Sequence, residues 1–244
     1  MRNRIAQQIR QAILNGALQE GERLVERKLA SALGASLTSV REALIELESE
    51  GFILKKINLG TYVNKMSMED IEKIFEVRRA LESFAIAEAA RQGTAEQIAG
   101  LEKTYFDMVD AARIKDARAF NRYDMQWHLH VWRMSGNEYL EAALRRAVLP
   151  FFAFVAIRIS SLDPLSLLRD AYGHLPLIEA IKARDAEKAK QAFASTLDAW
   201  LSITRAEFAE NAELEERKSS PARRTSPQYP ARIEPIAQPA RLTD

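Results

Sequence analysis

Two adjacent segments near the start of the chain carry apolar residues at helical spacing. The apolar positions are Leu29, Ala30 and Leu33 in the first segment and Val40, Ala43, Leu44 and Leu47 in the second. Repeats of three and four residues predict amphipathic helices. Gly34-Ala35-Ser36 separates the two segments, and Ser36 is a suitable N-cap for the second helix. With a further helix predicted over Arg4–Leu14, the pattern predicts a helix-turn-helix.

A short hairpin is predicted directly after the second helix. Gly51 ends that helix, and the turn-forming Asn58-Leu59-Gly60 lies between two strand-like segments, Phe52–Leu54 and Thr61–Val63. A helix-turn-helix followed by a hairpin, or wing, has a shape that fits the major groove of DNA. The sequence therefore predicts a winged helix-turn-helix over residues 1–66.

The chain from residue 67 to residue 217 has the pattern of an all-helical domain. A long amphipathic helix is predicted to Gln92, and Thr94 with Gln97 forms a capping-box pattern at the start of the next helix. Further helices are predicted over about 95–114, 116–135, 138–161, 165–183 and 186–212. The predicted fold class is mainly α: an N-terminal winged helix-turn-helix followed by a C-terminal all-α bundle of about six helices.

Residues 218–244 differ in composition from the rest of the chain. They are rich in proline, serine and arginine and hold almost no large apolar residues. Such a segment buries too little surface to offset its chain entropy, which predicts disorder. It is interpreted as a solvated tail, and a basic tail that clamps DNA is the alternative.

Composition is that of a soluble globular protein. Of the 244 residues, 47% are hydrophobic, 28% are charged and none is cysteine, which excludes disulfides and thiolate metal sites. No apolar run approaches the roughly 18 residues that span a bilayer, and the start has no apolar signal-peptide core. We expect a cytoplasmic protein with no membrane partner. The formal net charge is +3 over residues 1–66, −5 over 67–217 and +3 over 218–244, which suits phosphate contact by the N-terminal module.

The first module resembles the winged helix-turn-helix of the GntR family of bacterial transcription regulators. The matching elements are GERLVERKLASALG, the S-x-T-x-VREAL motif from Ser36 to Leu44, LESEGFI, and the wing tip with Gly60 and Val63. The resemblance implies a double-stranded DNA operator as partner and a homodimer. This chain has Glu20, Leu37, Ser39 and Leu59 where the family usually has proline, arginine, proline and a basic residue or histidine.

Candidate DNA contacts follow from this arrangement. Arg41 is predicted on the exposed side of the second helix, where it can reach a guanine edge or a phosphate; the alternative is a solvated arginine. The other candidates near phosphates, bases and the minor groove are Arg27, Ser36, Thr38, Ser39, Lys55, Lys56 and Gly60.

One constellation in the helical domain has metal-ligating chemistry. Asp124 and His128 are four residues apart and lie on one helical face, and His174 lies on a later helix. A carboxylate and imidazoles from separate helices can hold a divalent metal inside a bundle. The alternatives are an Asp124–His128 pair without metal and a buried structural His174. His130 points elsewhere and is expected to be a surface or packing residue.

This pattern resembles the FCD ligand-binding domain of the FadR subfamily within the GntR family. The matching elements are Asp124-x-x-x-His128, Gly136-Asn137 and His174. The resemblance places the fourth metal ligand at Thr196, a weak neutral ligand, and leaves zinc, nickel and manganese as compatible metals.

The same resemblance implies a small effector that carries a carboxylate. Arg78 or Arg79 is then a candidate to bind it, and a surface pair between Arg78 and Glu82 is the alternative. Arg158 is a second candidate, because a lone charge in the apolar FFAFVAIRIS needs a partner. The phenylalanines of that segment are expected in the core or at a dimer interface.

Three classes of function are compatible with these residues. The first is a DNA-binding transcription regulator, not an enzyme, whose helical domain binds a small metabolite. The second is a metal-dependent helical-bundle enzyme that uses Asp124, His128 and His174, although no general base, nucleophile or substrate motif accompanies them. The third is a winged-helix module that binds proteins and not DNA.

Overall fold

The computed structural model describes residues 2–158 and 164–218, which divide into two compact units between Lys65 and Met66. The elements of the first unit are α1 (Arg2–Leu14), β1 (Arg23–Leu24), α2 (Glu26–Leu33), α3 (Leu37–Ser49), β2 (Ile53–Lys56) and β3 (Gly60–Val63). Those of the second are α4 (Met68–Gln92), α5 (Ala95–Arg113), α6 (Ala117–Met134), α7 (Glu138–Arg158), α8 (Pro164–Tyr172), α9 (Leu175–Lys182) and α10 (Ala186–Lys218).

The helix-turn-helix forms as the sequence predicts. Helix α2 ends at Gly34, whose φ of 58° is a left-handed conformation that glycine adopts without steric cost. Ser36 then caps α3, because its hydroxyl accepts a hydrogen bond from the Ser39 N–H at 3.1 Å. The apolar face of α3 is buried, and the buried residues are Val40, Ala43, Leu44 and Leu47.

The wing is a three-stranded antiparallel sheet with the order β1-β3-β2. The predicted hairpin is present, with Lys56 opposite Gly60 and Ile53 opposite Val63. Strand β1 was not predicted: it has only two residues, and Arg23 lies opposite Tyr62 of β3. A strand this short has no repeat in sequence, so only its partner strand defines it.

The described part of the second unit holds seven helices, one more than the predicted six. The single helix predicted over 165–183 is wrong, because the chain breaks at Gly173-His174 between α8 and α9. Pro176 lies in the first turn of α9, where the missing N–H costs nothing; inside a continuous helix it would remove a hydrogen bond and clash with the preceding turn. This break sets the position of His174.

The helical unit has an aromatic core between α4, α7 and α10. Phe75 stacks on Trp200 with ring centroids 5.7 Å apart, and it meets Phe151 edge-on at 5.4 Å. Ser67 and Thr94 cap α4 and α5 through complete capping boxes, the second as predicted.

None of the helices described here combines the length and the apolar character needed to cross a membrane. The predicted extension of α7 to 161 and the predicted tail after residue 218 lie outside the described residues.

Candidate functional site

A buried cluster of charged side chains lies inside the otherwise apolar helical unit. Arg78 and Glu82 come from α4, Asp124 and His128 from α6, and His174 from the turn before α9. Because buried charges are costly unless they are paired and hydrogen-bonded, the partners of these groups reveal how the cluster is held together.

Glu82 is the centre of this cluster. Its side chain is fully buried, and its Oε1 accepts hydrogen bonds from His128 Nδ1 at 2.7 Å and from Trp132 Nε1 at 2.8 Å. Its Oε2 accepts one from Arg78 Nε at 2.5 Å. Burial alone would raise the pKa of Glu82, but the charge of Arg78, with His128, lowers that pKa to about 2. Glu82 is therefore a carboxylate that orients both Arg78 and His128.

The sequence left open a pair between Arg78 and Glu82 on the protein surface, and this location is wrong. The pair exists at i,i+4 spacing, but both side chains are buried. The spacing was visible in the sequence, whereas burial depends on α6, α7 and α10 packing over this part of α4. The role of Glu82 toward His128 was missed for the same reason.

The two imidazoles turn the same nitrogen toward Asp124. The Nε2 atoms of His174 and His128 lie 3.1 Å and 3.9 Å from Asp124 Oδ1. His174 Nδ1 lies 3.0 Å from the carbonyl oxygen of Asp170, to which it can donate a hydrogen bond, as His128 Nδ1 can to Glu82. Such partners fix the tautomer of a metal-ligating histidine and leave Nε2 as the ligand atom.

Opposing effects set the pKa values in this pair. Burial would lower the pKa of His174, but the hydrogen bond to Asp124 raises it above its ordinary value. Burial would raise the pKa of Asp124, yet the hydrogen bond and charge of His174 lower it overall. Without a cation, His174 and Asp124 thus stabilise each other as an ion pair.

The donor set fits a divalent cation held by three protein ligands. Three possible ligand atoms lie within 4.8 Å of one another, one each from Asp124, His128 and His174. Thr196 lines the same cavity, but its hydroxyl donates to the Ala192 carbonyl at 3.0 Å. A mixed nitrogen and oxygen set with open positions is typical of zinc and related divalent ions that also bind water or a ligand.

A cavity of about 490 Å³ opens beside this cluster. Its polar walls include Arg78, Asp124, His128, His174 and Thr196. Its aromatic walls are Phe120, Phe151, Phe152, Phe193 and Trp200. Phe151 and Phe152 are buried, as expected for the core. The cavity therefore joins a charged end to an apolar body.

Only one of the three predicted effector arginines lines the cavity. Arg78 does, whereas Arg79 is exposed and forms an ion pair with Asp198. The Arg158 guanidinium lies 4.7 Å from the Phe154 ring centroid and is not among the lining residues. Adjacent residues on a helix point about 100° apart, so burial of Arg78 carries Arg79 to the surface.

His130 lies away from the cluster, as predicted from its spacing. A Cβ at Gly100 would come within 2.8 Å of its Cε1 atom, so His130 packs closely on α5. Partial burial lowers the pKa of its imidazole. It is a packing residue between two helices.

In the first unit, most of the predicted DNA contacts lie on exposed surface, and Ser39 and Gly60 are half-buried. Thr38 and Arg41 are exposed on α3, and Arg27 is exposed on α2. Arg41 Nε donates to Glu26 Oε2 at 2.7 Å, an exposed pair that costs little to exchange for another partner. Ser36 and Ser39 join their hydroxyls at 2.9 Å at the start of α3.

The wing presents cations around an apolar tip. Lys55 and Lys56 are exposed, and Gly60 has a φ of 114°. Ile57 and Leu59 at the tip are 88% and 59% exposed. Arg23 also lies at this wing, close to Gly60: a Cβ at Gly60 would come within 3.2 Å of its Nε. Nothing in the sequence indicated this cation, because only the pairing of β1 with β3 brings Arg23 to the wing.

Family models match both units. Residues 1–63 match the bacterial regulatory proteins of the gntR family, and residues 73–199 match the FCD domain. The chain belongs to the GntR family. The FCD domain fits the FadR subfamily.

Relatives agree with this membership, and a solved structure shares the fold. A probable D-xylose utilization operon transcriptional repressor of Paenarthrobacter nicotinovorans is 30% identical over 209 residues, covering 83% of this chain and 90% of that one. The gluconate operon transcriptional repressor of Bacillus licheniformis is 30% identical over 137 residues, 56% of each chain. The structure of Escherichia coli McbR/YncC superposes with a TM-score of 0.69 at 22% identity, covering 85% of this chain and 98% of that one.

This GntR protein is thus a DNA-binding transcription regulator with a C-terminal effector-binding domain. Its relatives are regulators and not enzymes, which excludes the enzyme alternative. A DNA operator is its partner, so the alternative of a winged helix without DNA contact is also excluded.

Proposed function

We propose that this regulator binds a small carboxylate-bearing metabolite in the helical unit and couples that binding to operator affinity. The observation that supports this most directly is the buried charged cluster at one end of an apolar cavity. Ionisable groups whose pKa values are shifted and that line a cavity are typical of ligand-binding sites. Coupling between the two sites is then a free energy that each ligand exerts on the other.

The operator contacts are proposed on α3, α2 and the wing. Arg41 and Thr38 contact base edges or phosphates in the major groove, and Arg27 contacts the backbone. Ser36 and Ser39 lie at the start of α3, where backbone N–H groups favour phosphate. Lys55, Lys56 and Gly60 belong to the wing at the minor groove. Two such units in a homodimer match a two-fold operator.

A divalent metal is proposed at Asp124, His128 and His174, with zinc, nickel or manganese as candidates. When bound, it supplies open coordination positions for an effector carboxylate. Glu82 and the Asp170 carbonyl hold the two imidazoles in place, and Arg78 Nη2, 3.5 Å from His128 Nε2, adds a second positive group near the same position. The end of the cavity proposed to bind the effector thus offers an anion two positive groups, the metal and the Arg78 guanidinium.

DNA binding by these residues is tested with an operator obtained by selection. Duplexes are enriched from a random-sequence pool with the full chain, and binding is followed by fluorescence anisotropy at several salt concentrations. We expect Arg27→Ala with Arg41→Ala to weaken binding and to reduce the salt slope. Arg113→Ala with Arg205→Ala, in the helical unit, is the control for lost charge. Equal binding by both double variants would contradict the proposed contacts.

The metal is tested by elemental analysis of the full chain after dialysis against zinc, nickel or manganese. We expect stoichiometric metal in the natural chain and its loss in His174→Ala. His130→Ala is the matched control, because His130 lies outside the cluster and should leave the metal content unchanged. Metal retained by His174→Ala, or absent from every preparation, would argue against the site.

A further inference from the structure

The walls of the cavity beyond its charged end are aromatic. Five rings from three helices surround it: Phe120 from α6, Phe151 and Phe152 from α7, and Phe193 and Trp200 from α10. Val155 and Ile203 add further apolar surface, and Ser195 and Thr196 are the lining residues with hydroxyl groups. A ligand body in this space contacts carbon and finds few hydrogen-bond partners.

The charged end of the cavity offers one buried arginine to a ligand carboxylate. Arg78 Nε is bonded to Glu82 and its Nη2 lies near His128, and no hydrogen bond of Nη1 is found among the described residues. Rings of Phe151, Phe152 and Phe193 surround the guanidinium, with centroids 5.3 to 5.9 Å from its Cζ. These contacts hold Arg78 in place, so a ligand anion meets a preorganised donor.

Outside the charged end, a second anion has no comparable partner in the described walls. The other lining arginine, Arg169, is exposed and pairs with Asp170 at 3.1 Å. Asp170 is itself a partly buried carboxyl group that would face a second ligand anion. A dicarboxylate would therefore place its second charge against phenylalanine rings or beside Asp170, and both placements are unfavourable.

Hydroxyl groups on the ligand are disfavoured for the same reason. Each hydroxyl buried against the rings loses its hydrogen bonds to water without replacement, which weakens binding by about 5- to 150-fold. A sugar acid carries several of these groups. An aromatic body instead gains ring contacts and apolar burial.

We propose that the effector is a monocarboxylate with an aromatic body of one or two rings. Its carboxylate lies at Arg78 and the Asp124–His128–His174 cluster, and its ring lies among the aromatic walls. A volume of about 490 Å³ is in the range of pockets that hold small organic ligands, about 300–1,000 Å³. This inference rests on the proposed effector function of the cavity and adds the chemical class of the ligand.

The test is calorimetry on the full chain with two monocarboxylates of similar size and equal charge. The probes are 3-phenylpropanoate and gluconate, and indole-3-acetate extends the series to a two-ring body. The neutral amide of 3-phenylpropanoate measures the share of the carboxylate. We expect both aromatic acids to bind at least tenfold more tightly than gluconate, and the amide to bind more weakly than its acid.

Two variants place the binding in the cavity. Val155→Thr adds one hydroxyl to the wall at constant shape and should weaken the aromatic acids by about fivefold or more. Val77→Thr, on exposed surface of α4 outside the cavity, is the matched control and should leave binding unchanged. Because Val155 is only half-buried, its variant is expected to fold. Arg78→Lys keeps the charge but loses the planar donor pair, and it should weaken the acids and not the amide.

The outcomes separate this inference from the proposed function. If gluconate binds as tightly as the aromatic acids, and Arg78→Lys weakens it, the aromatic class is overturned while carboxylate sensing stands. If none of the carboxylates binds, both are overturned. Aromatic acids that bind equally to the natural chain and to Val155→Thr would place their site outside this cavity and also contradict the inference.

Discussion

The two units hold their functional side chains in opposite environments. The proposed DNA contacts of the first unit are mostly exposed, and their ion pairs are open to water, as between Arg41 and Glu26. The charges proposed to bind the effector in the second unit are buried and bonded to one another. Substitution of an exposed arginine in the first unit should therefore change DNA affinity alone, whereas substitution of a buried charge in the second unit should change ligand binding and folding together.

Helix α4 contains the same contrast within one element. Glu69 and Lys73 form an i,i+4 pair with side chains 75% and 67% exposed. Arg78 and Glu82 form a pair of the same spacing with side chains 7% and 0% exposed. Surface pairs contribute about 0–1 kcal/mol, whereas breaking a buried pair costs far more, because the remaining charge has no partner.

The largest predicted effect is on stability. Glu82→Gln leaves Arg78 buried without its carboxylate partner, and we expect the free energy of unfolding to fall by about 3–5 kcal/mol. All three tryptophans lie in the helical unit, so tryptophan fluorescence during urea unfolding reports on this unit alone. Glu69→Gln is the matched control and should change the stability by less than about 1 kcal/mol. Equal losses of stability in the two variants would contradict the proposed difference between the buried and the exposed ion pair.

The next effect is on DNA affinity. Arg41→Ala should weaken binding to the selected duplex by about 1–3 kcal/mol if the guanidinium contacts a base. The urea midpoint followed by tryptophan fluorescence should stay unchanged, because the side chain lies in the first unit. Anisotropy titrations measure the affinity, and Arg113→Ala is the control. Unchanged affinity would identify Arg41 as a solvated residue.

A smaller effect is expected at the cap of α3. Ser36→Ala removes the acceptor for the Ser39 N–H and should destabilise the start of α3 by about 1 kcal/mol. Amide hydrogen exchange measures this as faster exchange over the first turn of α3. Ser49→Ala, which removes a hydroxyl bonded to the Glu46 carbonyl at the other end of the helix, should leave that first turn unchanged. Faster exchange in both variants would exclude a specific cap.

The smallest effect is expected at the wing tip. Leu59→Lys adds a cation beside Lys55 and Lys56, and we expect the salt slope of DNA binding to steepen by about 1. Affinity at low salt should rise modestly. Leu175→Lys adds the same charge to exposed surface of the helical unit and should change neither quantity. An unchanged slope for Leu59→Lys would mean that the wing tip does not approach phosphate.

Local signals were sufficient for much of the fold. The turn at Gly34, the cap at Ser36 and the capping box at Thr94 depend on neighbours within a few residues, and each formed as predicted. Strand β1 has no local signal, since two residues become a strand only when β3 lies beside them. The break before α9 does have a local signal, Pro176, which is incompatible with the single helix predicted over 165–183.

The candidate site divides in the same way. The sequence identified Asp124, His128 and His174, because helical spacing and residue chemistry are local properties, and the structure brings the three together. It did not indicate which of Arg78 and Arg79 lines the cavity, and it did not reveal the hydrogen bonds that Glu82 accepts from His128 and Trp132. Those depend on which side of α4 the other helices cover.

Short-range periodicity, capping and motif spacing were enough to predict the helix-turn-helix, the helical character of the second unit, the family and the candidate ligand residues. The packing of the helices, by contrast, sets which charges are buried and which imidazole nitrogen faces Asp124, and it brings aromatic side chains from three helices around one cavity. The physical reason is that burial and the low dielectric environment it creates arise from contacts between residues far apart in the chain.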